Sequence, residues 1–108
     1  MAKVIKFKNQ EMIIKRGDFE KRMYIILSGE VEVSINDGFK KIVLAKLKKH
    51  DFFGEISLYC DMPRTADAIA SGTVTLTYFD NTDELDAFLN KNHKYSIKMV
   101  NLLAARIA

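Results

Sequence analysis

The chain reads as a mainly β domain closed by helices at its C-terminal end. Three observations predict this. Short apolar segments alternate with turn residues as far as about residue 80. Beyond that point the apolar spacing changes from every second residue to every third or fourth. And 48% of the 108 residues are apolar, enough for one hydrophobic core in a single domain.

The elements follow in order. Met12-Ile13-Ile14 is a short extended run that ends at a Gly17-Asp18 turn. Met23-Tyr24-Ile25-Ile26-Leu27 is apolar throughout and stops at Ser28-Gly29, which suits a strand covered on both faces. Glu30-Val31-Glu32-Val33-Ser34-Ile35 alternates strictly, as a half-buried strand does. Asn36-Asp37-Gly38 supplies turn chemistry, and Ile42-Val43-Leu44-Ala45 restarts an extended run, so the two segments predict a hairpin. Thr73 to Tyr78 alternates again, with β-branched residues on one face. Asn81 is placed to cap a helix, with Glu84 as its capping-box partner and Leu85, Phe88 and Leu89 on one face. A second helix is expected after Asn92, running through Ala108 with an apolar stripe of Ile97, Val100, Leu103 and Ile107. The expected architecture is a small β-roll over residues 1–80 with helices over 81–108.

Composition narrows the function. No apolar run approaches the roughly 20 residues of a membrane span, and the N-terminus alternates where a signal peptide would be continuously apolar. The lone cysteine, Cys60, allows no internal disulfide, which suits a reducing cytoplasm, and cannot build a structural zinc or iron-sulfur site. The net charge is +3, with lysines scattered among acidic residues. The one dense cluster, Lys46-Leu47-Lys48-Lys49-His50, reads as a solvated strand end and turn in preference to a nucleic-acid track. Two histidines and one cysteine lie apart, and no nucleophile-base pair or His-Asp cluster marks an enzyme. A binding role without catalysis, metal, membrane or nucleic acid is expected.

The chemistry-bearing stretch is Phe53-Gly54-Glu55-Ile56-Ser57-Leu58 followed by Pro63-Arg64-Thr65-Ala66. Glu55 and Arg64 stand nine positions apart. An arginine fork can hold two phosphate oxygens, a carboxylate can accept from a sugar hydroxyl, and a glycine admits a close backbone approach. Amides after Gly54 would face an anion if a helical turn begins there. Arg64 has a plainer alternative, a surface ion pair with Asp61 or Asp67.

This stretch resembles the phosphate-binding cassette of the cyclic-nucleotide-binding domain family, which includes bacterial catabolite activators, kinase regulatory subunits and gated channels. The match continues through Ala68 and Ala70. Ile14-Lys15-Arg16-Gly17-Asp18 is similar to the family's apolar-x-x-Gly-Asp turn, and the run from Tyr24 to Val33 to its strand-glycine-strand corner. The resemblance implies a jelly-roll-like β-barrel of about eight strands, with a short phosphate-binding helix on its inner wall and flanking helices. It implies a ligand, cyclic AMP first and cyclic GMP second, and no other cofactor. The implied roles are phosphate binding by Arg64 and by the amides of Ile56, Ser57 and Ala66. Glu55 would bind the ribose 2′-hydroxyl, and Gly54 would admit the close approach. Thr65 stands where the family's preference between adenine and guanine is partly written. His50 departs from the glycine that relatives carry before Asp51-Phe52-Phe53-Gly54; a left-handed backbone there is tolerated by histidine less well than by glycine. Residues 81–108 are the expected moving part, and the apolar stripe fits either a dimer helix or packing on the same roll. The helical pattern still running at Ala108 suggests a piece of a longer polypeptide. A ligand-free domain of the same fold, dimerising or docking a partner through its C-terminal helix, is the competing expectation, and recognition of another anion in the same pocket a third.

Overall fold

The structure is a computed structural model that describes residues 3–54 and 63–99. Six antiparallel strands and two helices make up the described part. The strands are β1 (Lys3–Phe7), β2 (Met12–Ile14), β3 (Met23–Asn36), β4 (Lys41–Leu47), β5 (Phe52–Phe53) and β6 (Asp67–Phe79). Helix α1 spans Thr82–Lys91, and a second helix, α2, is described over residues 93–99. The fold is therefore mainly β with C-terminal helices, as the change of period predicts.

The two longest strands organise the molecule. β3 joins two segments that the sequence separates at Ser28-Gly29, and β6 similarly continues through Ser71-Gly72. They pair with each other from Met23↔Phe79 to Ser34↔Asp67, with register shifts on either side of Ser28. Gly29 makes that bend possible. Its φ is +90°, and a Cβ there would lie 2.4 Å from the Thr73 carbonyl oxygen. The chain turns a corner without breaking the ladder, which is why apparent strand breaks in the sequence are bends in space.

Around this pair the ladder runs β1-β6-β3-β4, with β2 added on β6 and β5 on β3. Among the described residues β1 and β4 are its two ends, and no pairing between them closes a barrel. The predicted hairpin is β3–β4, from Val31↔Leu47 to Asn36↔Lys41. Its turn is held by side chains: Asn36 Oδ1 accepts from the Gly38 amide at 2.9 Å, and Asp37 Oδ1 accepts from the Phe39 and Lys40 amides at 3.0 Å each. Those amides keep the Asp37 carboxyl below its ordinary range.

Alternation along β3 feeds two cores. Tyr24, Ile26 and Val31 join Ile13, Ile14, Phe53, Ala68, Ala70, Val74 and Leu76 inside the roll. Met23 and Ile25 face the other way and meet Phe52, Phe79, Leu85 and Met99 beneath the helices. Both faces of the Met23–Ile26 run are thus covered, as its continuous apolarity predicts. Thr77 pairs with Ile25 and is fully buried; its Oγ1 donates to the Lys3 carbonyl at 2.9 Å.

Helix α1 begins as the sequence indicates. Asn81 is the N-cap and its Oδ1 accepts from the Glu84 amide at 2.8 Å. Glu84 reaches back one residue further than a standard capping box, accepting from the Asp80 amide at 3.1 Å. Leu85 is fully buried and Phe88 and Leu89 are half-buried. In α2 the packed face carries Tyr95 and Met99, four apart, while Ile97 is 65% exposed. The Ile97 member of the predicted stripe therefore faces solvent; Val100, Leu103 and Ile107 lie outside the described residues. No described helix is long and apolar enough to cross a membrane.

Candidate functional site

Arg64 is built into the wall of the roll by its backbone. Its amide donates to the Asp18 carbonyl at 2.7 Å and its carbonyl accepts from the Gly17 amide at 2.8 Å. The predicted Gly17-Asp18 turn is thus the clamp that positions the arginine. The residue is only 6% exposed. A guanidinium so deeply placed must be hydrogen-bonded to be tolerated. Nη2 donates to the Arg22 carbonyl at 2.6 Å and Nη1 to the Gly54 carbonyl at 3.1 Å. These contacts fix the fork in direction.

Gly54 lies against this guanidinium. Its φ is +83°, and a Cβ there would fall 2.8 Å from both the Arg22 carbonyl oxygen and Arg64 Nη1, and 3.4 Å from Ile14 Cδ1. Absence of a side chain is therefore a steric requirement of the Arg64 and Arg22 contacts. Phe53, just before it, stacks on Tyr24 with ring centroids 5.0 Å apart. The Tyr24 hydroxyl donates to Glu20 at 3.1 Å, and burial pushes its phenol up to about 12.

Of the predicted site residues, the structure brings Gly54 and Arg64 into contact. Thr65 is exposed and Ala66 half-buried, both on the approach to β6. Glu55, Ile56 and Ser57 lie outside the described residues, as do Cys60, Asp61 and Met62. Asp67, offered as a surface partner for Arg64, instead accepts from the Arg16 amide at 2.7 Å, and Arg64 is not at the surface. Sequence reasoning missed the Arg22 carbonyl. No residue pattern marks a main-chain acceptor, so only the fold reveals it.

A second polar cluster ties the roll to the helices. Asp80 accepts from Lys3 at 2.7 Å and from Arg22 at 2.8 Å, and Glu84 accepts from Lys3 at 2.8 Å. Lys3 and then Arg22 hold the Asp80 carboxyl below its ordinary range; Lys3 and then the Asp80 amide do the same for Glu84. The Arg22 guanidinium also lies 4.2 Å over the Tyr78 ring. A groove of about 350 Å³ beside this cluster, lined by residues that include Tyr78, Phe79, Phe88 and Lys91, shares no residue with the Arg64 site. The described residues hold no group of three or more His, Cys, Asp or Glu suited to a metal ion.

The family model described as cyclic nucleotide-binding domain matches residues 4–92. The chain belongs to the cyclic nucleotide-binding domain family. Among curated relatives, it is 36% identical over 75 residues to a cAMP-dependent protein kinase type II regulatory subunit of Drosophila melanogaster, covering 68% of this chain and 20% of that one. It is 41% identical over 69 residues to a cGMP-dependent protein kinase of Plasmodium berghei, covering 64% and 8%. Among solved structures, the catabolite activator protein of Thermus thermophilus superposes with a TM-score of 0.79 at 26% identity, covering 98% of this chain and 50% of that one. The chain thus spans half or less of each of these relatives, and about a fifth or less of the two kinase proteins.

Proposed function

We propose that the domain is a cyclic-mononucleotide sensor, with cyclic AMP its preferred ligand, that controls a larger protein by repositioning residues 81–108. The observation that carries this reading is the buried Arg64 fork resting on Gly54. Two of the groups that hold it, the Arg22 and Gly54 carbonyls, are neutral acceptors. A phosphate bearing a full negative charge and two exocyclic oxygens would bind the same fork more strongly. Gly54 would give the close approach, the amides of Ile56, Ser57 and Ala66 would add to the phosphate cradle, and Glu55 would take the ribose 2′-hydroxyl. The kinase relatives named for cAMP and cGMP support a cyclic nucleotide over another anion. The jelly-roll enclosure typical of the family, a cytoplasmic setting and a purely binding role belong to the same reading.

Calorimetric titration with both nucleotides tests it. Saturable binding is expected, tighter for cyclic AMP. Arg64→Ala weakens it by more than about a hundredfold, as truncating one partner of a buried charged pair does. Arg64→Lys recovers only part of the loss, because an ammonium cannot fork onto two oxygens. A thermal melt of each variant separates lost affinity from lost fold. Absence of heat and of thermal shift with either nucleotide overturns the proposal. Thr65→Ala measures how far this exposed hydroxyl contributes to any cyclic GMP binding.

A second reading, a domain that docks a partner without ligand, draws on the exposed Ile97 of α2. It predicts self-association or partner capture that cyclic nucleotides leave unchanged. Sedimentation of a strictly monomeric, nucleotide-responsive protein contradicts it.

A further inference from the structure

The turn between β4 and β5 is joined to α2 by side chains on both of its last two residues. His50 Nδ1 and the Tyr95 hydroxyl share a hydrogen bond at 2.7 Å, with their rings edge-on at a centroid distance of 5.6 Å. Next to it, Lys98 Nζ lies 3.3 Å from Asp51 Oδ1. Burial holds the Tyr95 phenol above its ordinary range, so it stays protonated and available for this bond. The backbone of the turn is equally fixed: the His50 amide donates to the Ile26 carbonyl at 2.8 Å and the Ile26 amide to the Asp51 carbonyl at 2.9 Å.

His50 adopts φ +77°, one of two described non-glycine residues with positive φ. That conformation is costly for a residue with a side chain, and a glycine would adopt it freely. A histidine in this position supplies something a glycine cannot, and in this structure its ring contact is with Tyr95.

The same turn leads straight into the candidate site. Asp51 precedes β5, in which Phe52 faces the helical core and Phe53 the interior of the roll. Gly54 follows, and its carbonyl is an acceptor for Arg64. A phosphate at Arg64 would compete for the guanidinium bonds now made to Gly54 and Arg22. Any resulting shift of Gly54 passes along three residues to His50 and Asp51, both attached to α2. We infer that His50 and Tyr95, seconded by Asp51 and Lys98, are the positioning residues that report occupancy of the Arg64 site to α2. This coupling presupposes the cyclic-nucleotide ligand proposed above; the attachment of the turn to α2 does not.

Hydrogen exchange read by mass spectrometry on the full chain tests both parts. In ligand-free protein, Tyr95→Phe and His50→Gly each speed exchange in residues 93–99 by about threefold to tenfold, the effect of losing one net hydrogen bond. The double variant is no faster than either single one, because both remove the same contact. His50→Asn, which tolerates positive φ and presents an oxygen where Nδ1 stood, restores most of the protection. With saturating cyclic AMP, the ligand-induced change in α2 exchange falls at least about threefold in Tyr95→Phe, while its Kd stays within about threefold of the parent. Unchanged ligand-free exchange in both single variants overturns the latch. So does a full ligand-induced change in Tyr95→Phe. If the parent binds no cyclic nucleotide, the functional reading and the reporting role fall together, and the ligand-free arm still decides whether the latch exists.

Discussion

The two faces of the first half of β3 are buried by different means. On one, Tyr24 and Ile26 enter a core of ten residues supplied almost wholly by neighbouring strands of the roll. On the other, Met23 and Ile25 meet a core of six that depends on Leu85 and Met99 from the two helices. The first core is held by the continuous β3–β6 ladder. The second is held by a few apolar anchors and by polar links at its rim: Lys3, Arg22, Asp80 and Glu84 on one side, His50–Tyr95 and Asp51–Lys98 on the other. A ladder yields only when the whole sheet opens, whereas anchored helices can lift while the sheet persists. The molecule thus pairs a ladder-held shell, which carries Arg64, with a helical cap held by separate anchors, and the proposed sensor would draw its movement from the cap.

Substitution at Gly54 breaks the ladder-held side most severely. Gly54→Ala combines a left-handed backbone with a Cβ driven against a carbonyl oxygen and against Arg64, and is expected to cost about 2–5 kcal/mol. Urea unfolding measures the loss, and Gly38→Ala serves as a control, since that turn glycine has open space around it and only the backbone cost of about 1–2 kcal/mol. Equal losses in the two variants contradict the claim that Gly54 is packed against the guanidinium.

Truncating one anchor on each face sharpens the contrast. Ile26→Ala and Leu85→Ala each remove a fully buried side chain and should cost about 2–5 kcal/mol. They should differ in reach. Ile26→Ala raises exchange throughout β3 and β6, while Leu85→Ala raises it first in residues 82–99. A uniform rise in both variants means that shell and cap unfold as one unit.

Acid produces the smallest effect. The folded carboxyls of Asp80 and Glu84 titrate below their unfolded values, so the folded state binds fewer protons than the unfolded chain in that range. Their stabilisation is complete above the ordinary carboxylate value of about 4 and is lost as pH falls through the lower folded values. Both sites are solvent-accessible, so Asp80→Asn is expected to cost at most about 1 kcal/mol at neutral pH. It should also flatten the fall in melting temperature below about pH 4. An unaltered acid limb in Asp80→Asn removes Asp80 from the links that hold the cap.

Much of this organisation was legible before any coordinates. Asn36-Asp37-Gly38 announced a hairpin turn, and Asn81 with Glu84 announced the start of α1, because those side chains bond to amides only two or three residues away. The Met23–Ile26 run, apolar without alternation, announced a strand buried on both faces. Sequence reasoning names Glu55 and Arg64 as the converging pair and Gly54 as the point of close approach; Glu55 lies outside the described residues, while Gly54 and Arg64 touch. Other features depend on residues far apart in the chain. Ser28-Gly29 ends an apolar run and, by the resemblance, turns a strand-glycine-strand corner; that it is a bend within one strand follows only from the ladder to β6 that continues past it. Ile97 belongs to a stripe that fits either a dimer helix or the roll, and only the structure shows it exposed, because the side of α2 that meets the sheet carries Tyr95 and Met99.

By itself, then, the order of residues determined the class of fold, the turns and the helix cap, since each depends on contacts within a few positions or on a simple period. Tertiary structure alone decided that Arg64 is buried on two main-chain carbonyls, that His50 reaches Tyr95, and that Asp80 joins Lys3 to Arg22. Those contacts link residues more than 40 positions apart in most cases. Backbone acceptors carry no residue signature, and a side chain's distant partner exists only once the strands between them have paired.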